Sequence, residues 1–167
     1  VMGSGVINVD DMVLEGAATL DFTGSLVVNT LESWALSLQL TADMMVNQTL
    51  TLAAGTLTMK INGSLDMGSG SAIVISGGLL SLEGGTLMLT SPYNVEYIQG
   101  SAIAGLELSG AELTDVTINV TSGQSVTLTS DLMVKGILDL SSGTLILNSH
   151  NLTVSGDIAL SGSGEIF

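Results

Sequence analysis

The chain has no cysteine and no arginine, and its only bases are Lys60 and Lys135 and the single histidine His150. Without cysteine the fold rests on neither disulfides nor thiolate metal sites. With two lysines against sixteen carboxylates, the formal net charge is -14. That balance excludes nucleic acid and anionic membrane as partners, since both require basic surface. Proline occurs once, at Pro92, and aromatics five times, at Phe22, Trp34, Tyr93, Tyr97 and Phe167. A core built on aromatic bulk is therefore excluded. No apolar run approaches ~20 residues, so no membrane-spanning helix is expected.

What remains is aliphatic and small. Hydrophobic residues make up 46 % of the chain, far too many for disorder. The bulk comes from Leu, Val, Ile, Met and Ala, which suits a narrow core built in repeated layers. Gly, Ser, Thr, Asn and Asp fill the spaces between them. Gly and Asn permit tight turns, and Thr favours strands. The acidic surplus reads as a solvated coat that keeps an edge-rich protein soluble.

Internal repetition is clear. Residues 41–59, TADMMVNQTLTLAAGTLTM, align without a gap on residues 129–147, TSDLMVKGILDLSSGTLIL, at an offset of 88. Gly-Ser-Gly follows each copy at 68–70 and 162–164, and stands also at 3–5. No secretion signal is visible at Val1. The pattern runs to both termini, which suggests a mature product or an excised segment.

A finer period lies within the longer one. The runs 50–52, 56–59, 64–67, 72–75, 79–82 and 86–89 alternate apolar and polar residues, as half-buried strands do. Their centres recur every seven or eight residues. The linkers are too short for Greek-key crossings. The spacing predicts an all-β fold: a parallel β-solenoid with three short strands per coil of ~22 residues and about seven coils. The general rule for parallel crossovers makes it right-handed. Leu50 should stack on Ile73, Leu57 on Leu80 and Leu65 on Leu87. The expected core comprises Val46, Leu50, Leu52, Leu57, Met59, Leu65, Met67, Ile73, Ile75, Leu80, Leu82, Leu87 and Leu89. In the second copy it comprises Val134, Leu138, Leu140, Leu145, Leu147, Leu152, Val154, Ile158 and Leu160.

Two stretches break the pattern. Residues 91–109, with Pro92, Tyr93 and Tyr97, are expected to bulge from the coil. Residues 29–35, with Trp34, form a second irregularity. Tyr93, Tyr97 and Trp34 are the candidate recognition residues, because loops on a rigid scaffold commonly carry function. The alternative for each is an aromatic that packs inside a broadened coil.

Residues 93–101, 105–109 and 116–119, with 126–134, 137–147 and 151–156, resemble the repeat segments of long secreted and cell-surface proteins of Bacteroidetes and Chlorobi type. The resemblance covers about 36–167. It implies an exported parallel β-solenoid, adhesin-like or surface-layer-like, and carries no catalytic residue. This chain is richer in methionine, with Met44, Met45 and Met133 entering strands, where methionine would serve as an adaptable core filler.

Catalytic chemistry finds little footing. Polysaccharide lyases of this fold need a base near clustered carboxylates, and Lys60 and Lys135 lie more than three coils apart. A hydrolase needs two or three acids in one cleft. Asp10 and Asp11 are the only adjacent pair and would face opposite ways on a strand. His150 sits in the turn-like Asn148-Ser-His-Asn151 and offers one metal ligand at most. A stabilising calcium ion is open, with Glu112, Asp115, Asp131, Asp139 and Asp157 as candidates; the calcium-binding nonapeptide repeat is absent. An ice-binding ladder needs Thr pairs on successive coils. A 22-residue step places Ser71 and Gly78 beyond Thr49 and Thr56. Sequons stand at Asn47, Asn62, Asn119 and Asn151.

The resulting expectation is a non-enzymatic extracellular shaft without a cofactor. Its partners would be further coils or copies of itself end to end. A module binding surface glycans or ice is the alternative, and a polysaccharide-active enzyme a remote one.

Overall fold

The computed structural model describes residues 5–20, 24–40, 43–60 and 63–167. The described residues form parallel strands wound into a β-solenoid, with one 3-10 turn, Leu106–Leu108, and no α-helix. One column follows the winding throughout: Met12, Leu31, Leu50, Ile73, Val95, Val116, Leu138 and Ile158 are successive ladder partners. The steps range from 19 to 23 residues, about 21 on average. Seven steps at ~4.8 Å make the rod about 34 Å long.

The repeat offset now has a physical meaning. Steps of 23, 22, 21 and 22 residues lead from Leu50 to Leu138, so an offset of 88 is four coils. The repeat returns each residue to the same column. The expected stacks of Leu50 on Ile73, Leu57 on Leu80 and Leu65 on Leu87 are all present.

Three faces surround the core. The first holds the column above. The second runs through Thr56–Lys60 and Leu79–Glu83, then through Ala102–Ile103, Ser125–Thr127, Thr144–Ile146 and Glu165–Ile166. The third runs through Ser64–Met67 and Thr86–Met88, then through Leu132–Val134 and Leu152–Val154. The early strands are longer than the sequence pattern suggests. Gly5–Leu20 and Gly24–Leu40 pair on both sides of a shift in register, where the ladder skips Gly16, at φ 76°, opposite Ala35 and Leu36.

Inward residues alternate with outward ones, and the inward columns are almost dry. Val28, Leu31, Val46, Leu50, Leu65, Ile73, Ile118, Leu138 and Leu145 are fully buried. Ile158 and Leu160, expected in the core, are 50 % and 59 % exposed, and Leu147, Leu152 and Val154 near the same end are only partly covered. Ile158 and Leu160 belong to the last coil of the column and have a neighbour on one side only. Leu82 and Leu87 are only partly covered for a related reason, because the coil above them is broken.

Candidate functional site

The break lies in the coil between Tyr93 and Glu112. On the first face the ladder continues, with Ile73 pairing Val95 and Val95 pairing Val116. On the second face Leu79–Glu83 ends one sheet and Ala102–Ile103 begins another. Where a third-face strand would follow, the chain instead makes the 3-10 turn Leu106–Leu108, which packs against Leu79–Glu83. A cleft of about 240 Å³ opens in the second face, lined by Gly78, Leu79, Leu80, Ser101, Ile103 and Glu107, among others.

The stretch 91–109 is therefore regular in its first half, contrary to the expected bulge. Tyr93–Gln99 is a seven-residue strand of alternating burial. Tyr93 and Tyr97 point inward and are buried, so they are not recognition residues on a loop. The physical reason is volume. Where the wall replaces a strand with the 3-10 turn, two phenol rings fill the interior.

A polar network comes with them. Tyr97 Oη donates to Glu107 Oε1 at 2.6 Å, and the Gly105 amide donates to the same oxygen at 2.7 Å. Tyr93 Oη donates to the Glu107 carbonyl at 2.9 Å and accepts from the Gly110 amide at 3.1 Å. Burial pushes the Tyr93 phenol up to about 12, against the pull of the Gly110 hydrogen bond, with the Glu107 charge adding to the rise. Burial, then the Glu107 carboxylate, hold the Tyr97 phenol well above the usual phenol range. Glu107 is buried at the cleft's inner wall. Sequence reasoning passed over it, since Leu106-Glu-Leu108 reads as alternation with the acid outward. The 3-10 turn reverses that reading.

Trp34 belongs to no irregular loop. It lies on the continuous strand Gly24–Leu40, whose pairing shifts register at Asn29 against the next coil and again just after Trp34 against the previous one, so the expected irregularity is present as shifts of register within a strand. It is 51 % exposed, and its indole N–H donates to Glu32 Oε1 at 2.7 Å.

The calcium candidates do not converge. Glu112 pairs with Lys135 at 2.9 Å, and Asp115 Oδ1 accepts from the Ile137 amide at 2.7 Å. Asp131 accepts from the backbone and side-chain amides of Asn151 at 2.8 and 3.0 Å, with His150 nearby at 3.6 Å. Those hydrogen bonds hold its carboxyl below the usual carboxylate range. Asp139 accepts from Ser141 at 3.1 Å, and Asp157 joins the ladder through its carbonyl. Among the described residues no three His, Cys, Asp or Glu side chains gather as a metal site. Lys60 forms its own inter-coil pair with Glu83.

The Thr pairs also fail to stack. Thr49 and Thr51 pair with Ala72 and Val74, Thr56 pairs with Leu79, and Thr127 pairs with Ile146. The one-residue difference from the expected Ser71 and Gly78 arises because this coil has 23 residues. Of the sequons, Asn47, Asn119 and Asn151 are exposed, and Asn62 lies outside the described residues. Comparison with known protein families, curated proteins and solved structures finds no match to this chain.

Proposed function

We propose that this chain is a structural segment of an extracellular, adhesin-like shaft, in which parallel coils stack to make a stiff rod. The observation that carries the reading is the exposure of core columns at both ends. Ile7 is 53 % exposed where its ladder partner Leu26 is 3 %, and Ile158 is 50 % exposed where Leu138 is fully buried. Among the described residues each end presents unpaired strand edges over uncovered aliphatic side chains, a surface that another parallel coil would complete. The role is mechanical rather than catalytic, and its partners are further coils of the same kind. The resemblance in 36–167 supports a location outside the cell. No helix among the described residues is long and apolar enough to cross a membrane.

A second reading, a module that binds surface glycans, draws on Trp34. A half-exposed indole fixed by Glu32 offers a platform on which a sugar ring can stack. Negative-stain microscopy and X-ray scattering of the intact protein over a concentration series test the first reading. Rods that lengthen with concentration, in multiples of roughly 34 Å, are the expected result. Particles that stay monomeric at every concentration would overturn it, and a glycan array that responds to Trp34→Ala would support the second.

A further inference from the structure

The methionines noted in the sequence do not all fill the core. Met44 is buried, but Met45, Met88 and Met133 are 37 %, 39 % and 58 % exposed. Two of them meet. On the outward side of the third face, Met45 pairs with Asp66 and Asp66 with Met88, so three successive coils set thioether, carboxylate and thioether in one line. Two coil steps separate the methionines by ~10 Å, a span that two flexible arms can close over the aspartate between them.

These three residues, with Asp43 and Ser64, line a single surface depression of about 180 Å³. Asp43 is occupied, accepting from Ser64 Oγ at 2.6 Å. Asp66 is not: its Oδ1 is shielded from solvent and has no hydrogen-bond partner among the described residues. A shielded carboxylate oxygen without a donor is costly and marks a place where a cation fits. Both lysines are engaged elsewhere, with Glu83 and Glu112. The class of cation follows from the ligands. Thioethers are soft and select Cu(I)-like ions, whereas calcium requires six or more oxygens. We propose that Met45, Asp66 and Met88 form a surface site for a soft monovalent cation of the Cu(I) class.

The test uses Ag(I), a redox-inert probe, titrated into the intact protein with methionine methyl NMR. Cu(I) competition against a chromophoric chelator under reducing, anaerobic conditions follows. One equivalent should shift the Met45 and Met88 methyl signals and leave Met133, whose ladder partner is Thr153, unmoved. Met45→Leu and Met88→Leu should each weaken binding at least tenfold, Asp66→Asn should weaken it measurably, and Met133→Leu should leave it unchanged. Both methionines are exposed, so their leucine variants should keep the native circular dichroism. Equal shifts at all exposed methionines, indifference to Met45→Leu and Met88→Leu, or displacement of Ag(I) by Ca²⁺ would each overturn the proposal.

Discussion

The two tyrosines offer a direct test of the broken coil, because the chain has no others. An unfolded phenol ionises near 10, while Tyr93 in the folded chain ionises near 12 because burial disfavours its anion. Below pH 10 both states hold the proton and the stabilisation is complete. As pH rises from 10 towards 12 the unfolded state loses a proton that the folded state keeps, so stability falls. Two pKa units amount to roughly 3 kcal/mol from Tyr93. Tyr97, also raised by burial and by the Glu107 carboxylate, acts in the same direction. Against a total stability of about 5–15 kcal/mol this loss should trigger alkaline unfolding. The assay follows tyrosinate near-UV absorbance and far-UV circular dichroism together over an alkaline titration. Absorbance should stay silent past pH 10, then rise in step with loss of the β-sheet signal. Tyr97→Phe should lower overall stability by about 1.5–3 kcal/mol, because the buried Glu107 loses a donor. Tyrosinate appearing with a midpoint near 10 while the sheet signal is intact would refute the inward placement of both rings.

Position along the rod should set the cost of deleting a core side chain. Leu138→Ala, in a dry column, should cost about 2–5 kcal/mol in urea unfolding, and Ile158→Ala, half-exposed one coil on, less than half of that; equal costs would contradict the stacking. Ser33 is fully buried with its hydroxyl unpartnered, between Leu14 and Leu52 in an otherwise apolar column. Ser33→Ala should therefore raise stability by about 1 kcal/mol, measured by thermal unfolding, and a loss would mean that the hydroxyl has a partner. The Asp131 carboxyl is lowered first by the Asn151 side chain, then by the Asn151 amide, with a smaller part from His150. Its contribution is present above the ordinary carboxyl range near pH 4 and fades as pH falls through the lowered value. Amide exchange at Asn151 should quicken over that window, and Asp131→Asn should flatten the dependence.

The regular coils were legible because their signal is local and redundant. Alternation in 50–52, 64–67 and 72–75 states which residues face inward, and each coil repeats the message. Leu50, Leu65 and Ile73 are buried as that alternation requires. Exposure at the rod's end was not legible, since Ile158 and Leu160 alternate like any others. What they lack is a neighbour in the next coil, a property of stacking rather than of sequence. Trp34 shows the opposite error. An aromatic in a small-residue chain invites a loop, yet parity along Gly24–Leu40 puts Leu31 and Ser33 inside and Glu32 and Trp34 outside. Met45 and Asp66 were hidden for another reason: they are 21 residues apart, and only the register joins them.

The broken coil and the methionine line follow from the same feature of a solenoid. Inward positions are fixed by volume, so a change in the wall must be met inside. The 3-10 turn at Leu106–Leu108 takes the place of a strand, and Tyr93 stacks between Ser71 and Leu113 to fill the interior. Buried phenols then need partners, which Glu107 and Gly110 supply. Gly110 has little freedom to change, because a Cβ there would stand 2.6 Å from the Tyr93 hydroxyl. Outward positions carry no such constraint, since every coil offers its outer side chains at ~4.8 Å spacing whatever they are. A residue there can be exchanged without disturbing the core. Specific chemistry on this solenoid is thus expected in outward columns such as Met45, Asp66 and Met88, while the inward network at Glu107 keeps the core continuous through the irregular coil.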